Sequence, residues 1–125
     1  MNESSEYQTA SKKYWAFISY SSKDKKWGKW LHKRLENYSI PNEYQTLQLD
    51  DGTKLGQHIR PVFRDRDELA SSSELGSVIE EALTQSRFLI VLCSPNSAAS
   101  KWVNKEIEDF RAIHGDDNVL SLIHI

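Results

Sequence analysis

The chain has a single cysteine, Cys93, in 125 residues, so no disulfide can form within it and a reducing setting such as the cytoplasm is the natural expectation. Long apolar runs are missing as well. The most continuous, FLIVLCS at 88–94, falls far short of the roughly 20 residues a membrane-spanning helix needs. The opening MNESSEYQTASKK holds no apolar segment that could act as the core of a secretory signal. There is no excess of either charge: 16 Lys and Arg stand against 18 Asp and Glu, for a formal net charge of −2. Neither nucleic acid nor a membrane surface therefore has an electrostatic claim as partner. No two of the four histidines sit at metal-ligand spacing, so no metal site is expected. No G-x-G-x-x-G follows the first apolar segment, which argues against a dinucleotide-binding Rossmann domain. A response-regulator receiver needs an acidic cluster after its first strand and an Asp ending its third, and here those positions read ISYSS and VLCSP.

What is present alternates. YWAFISY (14–20) is aromatic and almost uncharged, as in a strand covered on both faces. Ser21 or Ser22 is placed to cap a helix through KDKKWGKWLHKRLENY, with Trp27, Trp30, Leu31, Leu35 and Tyr38 as its apolar face and a basic outer face that includes His32. Gly28 is expected to weaken that helix by up to about 1 kcal/mol. Residues 39–60 read as an irregular insertion whose DDGT turn suits a small hairpin. PVFRD (61–65) reads as a short strand. After the charged loop RDELASSS, a Ser71/Glu74 capping box opens a second helix with Leu75, Val78, Ile79 and Leu83 on its buried stripe. FLIVLCS follows as a strand with Cys93 buried in it. A third helix then ends near His114 and Gly115, and NVLSLIHI reads as a last strand. Four strands separated by crossover helices predict an α/β fold, a flavodoxin-like parallel sheet with helices on both faces. Residues 1–12 are expected to form a flexible leader or linker and 13–125 the domain. The chain's end inside an apolar strand, with no helix or polar tail to finish the layer, suggests a truncated domain.

In such a sheet, ligands bind above the carboxyl ends of the strands. ISYSSKD, RDRDEL and SPNSAASKWVNKE all arrive at that edge. In SAASKWVNKEIEDF, Val103, Ile107 and Phe110 supply the core face, which leaves Trp102 and Glu106, spaced i, i+4, on a neighbouring face at the pocket edge. YWAFISYSSKD, PVFRDRDEL with the segment that follows it, and the Ser100-x-Trp102-x-x-x-Glu106 motif together resemble the Toll/interleukin-receptor (TIR) domain, in its bacterial form, over roughly 13–125. That resemblance implies hydrolysis of NAD to nicotinamide and ADP-ribose or a cyclic isomer, with Glu106 catalytic, NAD as substrate and no further cofactor. It also implies a sheet whose last strand and helix are lacking here, and self-association with other TIR domains, with active sites formed between neighbours, in bacterial defence or signalling. Phe17, Ile18, Ser19, Tyr20, Ser21, Arg64, Asp65, Ser100 and Trp102 would contact the dinucleotide, with Arg64 or Arg66 meeting the pyrophosphate. Asp65, Asp67 and Glu68 are not assigned as a second catalytic acid. The competing expectation is a TIR domain that serves only as an interaction scaffold.

Overall fold

The computed structural model describes residues 12–49, 52–64 and 73–123. Four strands, β1 (Tyr14–Ser19), β2 (Val62–Arg64), β3 (Ser86–Cys93) and β4 (Val119–Ile123), form one sheet in the order β2-β1-β3-β4. All three pairings are parallel. The helices are α1 (Lys25–Asn37), α2 (Ser73–Thr84), the short α3 (Pro95–Ala98) and α4 (Lys101–His114). A 3₁₀ turn, Ser22–Asp24, leads into α1. The parallel pairing is that expected from the alternating pattern, and the order is that of a flavodoxin-like sheet. The chain leaves β1 towards β2 and returns past it to β3, so a topological switch lies at the carboxyl ends of β1 and β3.

Alternation along the strands divides the core in two. Phe17, Leu89 and Val91 face α2 and α4, where Ile79, Ala82, Leu83, Val103 and Phe110 complete one cluster. Ala16, Ile18, Tyr20, Val62, Ile90 and Leu92 face α1 and close over Leu31. Both faces of β1 and β3 are thus covered, which is why their sequences are near-continuous apolar runs. On the α1 face of β4, Leu120 and Leu122 are exposed.

Several sequence expectations need correction. Trp27, Trp30 and Tyr38 do not face the core; they are 39%, 52% and 52% exposed. The inward stripe of α1 is Gly28, Leu31 and Leu35, and it is narrow because the Tyr20 ring already fills the space above Gly28. Trp27 and Trp30 meet edge to face at 6.1 Å, and Arg34 lies 5.6 Å above the Trp30 ring. Val78 is exposed, while Ile79 and Leu83 are buried. Cys93 is only half-buried. His32 leaves the basic helix face and makes a 2.7 Å bond with the Val62 carbonyl, while Glu36 accepts from the Val62 amide at 2.8 Å. The segment after β3 is two helices and not one, because Ser94 and Ser97 cap a first turn before Ser100 starts the second. The expected hairpin, by contrast, is present as a short antiparallel pairing: Gln48 bridges Lys54, and the Leu49 and Leu55 amides donate to the Thr53 and Leu47 carbonyls at 2.8 and 2.9 Å. The expected Ser71/Glu74 capping box and the side chain of Leu75 lie outside the described residues.

Candidate active site

Construction of the site begins at the end of β1. Ser19 shares a face with Phe17 and points towards α4. On α4, Val103, Glu106 and Phe110 recur at spacings of three and four, and all three are buried. Glu106 therefore occupies a core position, 2% exposed. This differs from the expectation of a neighbouring, pocket-edge face, and the reason is that the buried stripe of α4 is wide enough to include both Glu106 and the half-buried Ile107.

A carboxylate in such a place costs several kcal/mol of lost hydration unless polar partners replace water. The Ser19 hydroxyl supplies one, donating to Glu106 Oε1 at 2.5 Å across 87 residues of sequence. Ser100 explains the spacing of the motif. Its hydroxyl accepts from the Val103 amide at 3.1 Å, so it is the N-cap that fixes where α4 begins. Glu106 then comes round, in the second turn, to face Ser19. Trp102 is half-buried against the same core cluster.

The other expected contact residues distribute unevenly. Phe17 stacks on Phe63 with ring centroids 5.1 Å apart, and Ile18 packs towards α1; both are fully buried, so their side chains serve the core. Tyr20 is buried too, and its hydroxyl accepts from Arg64 Nη1 at 3.4 Å. Arg64 Nε is buried with no acceptor among the described residues. Ser21 caps the 3₁₀ turn, accepting from the Lys23 amide at 3.2 Å. Asp65, like Arg66, Asp67 and Glu68, lies outside the described residues. The expected residues thus meet as two separate pairs, Ser19 with Glu106 on the α4 face of the sheet and Tyr20 with Arg64 on the α1 face.

Sequence reasoning missed one residue here. Asp24 is 5% exposed and binds the other side of the switch point: Ser94 Oγ donates to its Oδ2, and Asn96 Nδ2 to its Oδ1 at 3.0 Å. An acidic residue just before a basic helix reads as a surface residue, and only the fold shows it meeting the end of β3. Among the described residues, no group of three His, Cys, Asp or Glu could hold a metal ion, and no helix is long and apolar enough to cross a membrane.

Residues 17–125 match the family model for the TIR-like domain of the Thoeris protein ThsB. A stretch of 62 residues is 48% identical to the NAD(+) hydrolase ApTIR of Actinoplanes sp.. It covers 50% of this chain but only 9% of that protein, so the chain spans a small part of its relative's length. The parallel sheet, the order of its strands and the family match agree, and the chain belongs to the family of ThsB TIR-like domains.

Proposed function

We propose that this domain hydrolyses NAD to nicotinamide and ADP-ribose or a cyclic isomer, with Glu106 as the catalytic group. The observation that carries the reading is a carboxylate held in a core position by Ser19, at the sheet edge where such folds bind ligands. Similarity to an NAD(+) hydrolase supports the choice of substrate.

The chemistry suits a single carboxylate. Nicotinamide is cationic while attached to ribose and leaves as a neutral amine, so no acid is needed to protonate it. Charge builds instead on the ribose, which becomes oxocarbenium-like. A preorganised carboxylate beside it stabilises that charge, an effect typically worth about 3 to 4 kcal/mol per group. Arg64, with a buried N–H to donate, is suited to the pyrophosphate. Ser19, Tyr20, Ser21, Asp65, Ser100 and Trp102 complete the proposed contact set, with Trp102 offering an aromatic face. Phe17 and Ile18 would act through the floor they support. Because Glu106 is 2% exposed, the dinucleotide must open the rim or displace the Ser19 hydroxyl to reach it. Self-association is the event assigned to that opening, in a bacterial defence or signalling role, and in the cytoplasm, where NAD is held.

A purely scaffolding role is the second reading, favoured by the exposed Trp27 and Trp30 on α1. Nicotinamide release from NAD, measured at high protein concentration or under crowding, separates the two. Wild type is expected to turn over, and Glu106→Ala and the isosteric Glu106→Gln to lose about 100-fold or more. Equal silence of wild type and variants in an assembled state defeats the enzyme reading and leaves the scaffold.

A further inference from the structure

We infer that Asp24 is a positioning residue for Glu106, acting through Ser94 across the switch point; the inference rests on the NAD-hydrolase reading of the site. Asp24 closes the 3₁₀ turn that follows β1, while Ser94 and Asn96 open the segment that follows β3. Its two carboxylate oxygens take one donor each from that segment, Ser94 Oγ and Asn96 Nδ2, across 70 and 72 residues of sequence. The two strand ends that bracket the site are thereby joined.

The Ser94 bond reaches further than its own length. A serine hydroxyl has one proton to give. Because Ser94 gives it to Asp24, its lone pairs are directed at the Ser97 amide, which donates to it at 3.1 Å. Ser97 is buried, and its hydroxyl returns the contact, accepting from the Ser94 amide at 2.9 Å. The Ser97 carbonyl then accepts from the Ser100 amide at 3.1 Å, and Ser100 caps α4 through Val103. An unbroken series of hydrogen bonds thus runs from Asp24 to the first turn of α4. That turn sets the height at which Glu106 meets Ser19. Asn in place of Asp24 keeps the shape but is uncharged and has one acceptor oxygen, so both charge-assisted bonds are lost and the second contact survives only if the Asn96 amide turns over.

The test uses Asp24→Asn, Ser94→Ala, the double variant, and Leu35→Ala as a control destabilised on the opposite, α1-facing core. Each is assayed as the full chain for kcat and KM of NAD cleavage under assembling conditions, well below its melting temperature. Asp24→Asn and Ser94→Ala are each expected to lower kcat about tenfold or more, with KM moved by less than about threefold, because positioning errors act on the transition state. The double variant should be no worse than the poorer single variant, and Leu35→Ala should keep its kcat within about twofold. Losses that multiply in the double variant, or a Leu35→Ala loss equal to that of Asp24→Asn, would overturn the proposal. Should wild type release no nicotinamide, the NAD reading fails by itself and amide exchange decides the role of Asp24. Faster exchange at residues 97–106 in Asp24→Asn than in Leu35→Ala supports it, and equal exchange refutes it.

Discussion

Gly28→Ala sets two known effects against each other in α1. On a free helix, alanine for glycine gains about 0.8 to 1 kcal/mol. Here a Cβ at position 28 would stand 2.9 Å from three atoms of the Tyr20 ring. The ring is 1% exposed and rigid, so it cannot swing aside as the tip of a long side chain would. Overpacking of this kind costs about 1 to 3 kcal/mol, so the net is a loss of about 1 kcal/mol. In a domain of this size that corresponds to a fall of roughly 3 to 5 °C in Tm. Urea unfolding should show a lower midpoint at unchanged slope. A second arm isolates the cause: once Tyr20→Val has removed the ring, Gly28→Ala should become stabilising by about 0.5 to 1 kcal/mol. A rise in stability on introducing Gly28→Ala into the wild-type chain would show that the ring yields, and that the close approach constrains nothing.

Two further outcomes follow from the same geometry. Ser19→Ala removes a hydrogen bond to a buried carboxylate and should cost about 1.5 to 3 kcal/mol, but under about 0.5 kcal/mol in a Glu106→Ala background; equal costs in both backgrounds would mean that the two side chains do not interact. His114 should make stability depend on pH. Burial beside Phe110, ring centroids 4.5 Å apart, holds its imidazole below the ordinary 6.5; the bond with the Leu83 carbonyl opposes this and Lys12 adds to it. The unfolded chain then takes up a proton that the folded one refuses. Stability is complete above 6.5 and falls as pH drops through 6.5 towards the lower folded value. Urea midpoints between about pH 5 and 8 should show that slope in wild type and a shallower one in His114→Gln, and parallel profiles would discount the histidine.

The strands and crossover helices were legible because periods of two and near 3.6 are written directly in the apolar positions. Faces were harder. In α1 the aromatic residues drew the predicted stripe outward, since nothing local reveals that a ring from the end of β1 fills the space above Gly28. Glu106 was placed in the right helix, but its burial was hidden, because periodicity counts apolar residues and cannot credit a carboxylate with a core position. Ser100 and Ser19 were marked by motif; the physical roles of cap and hydrogen-bond donor came from the fold. Asp24 was missed altogether. Its partners are 70 and more residues away, and such a pairing leaves no pattern within a window.

The register of β1 carries a further consequence. This strand is paired on both sides, Ile18 opposite Arg64 of β2 and Ser19 opposite Val91 of β3. Side chains along a strand alternate, so a slip of one residue would bring Ile18 or Tyr20 to Glu106 in place of Ser19. The choice of partner for the carboxylate is thus made by backbone pairing in the interior of the sheet, where slippage must break two ladders at once. The loops around the rim make no such choice. They can change in length and composition, and with them the ligand that fits, while Ser19 and Glu106 keep their places.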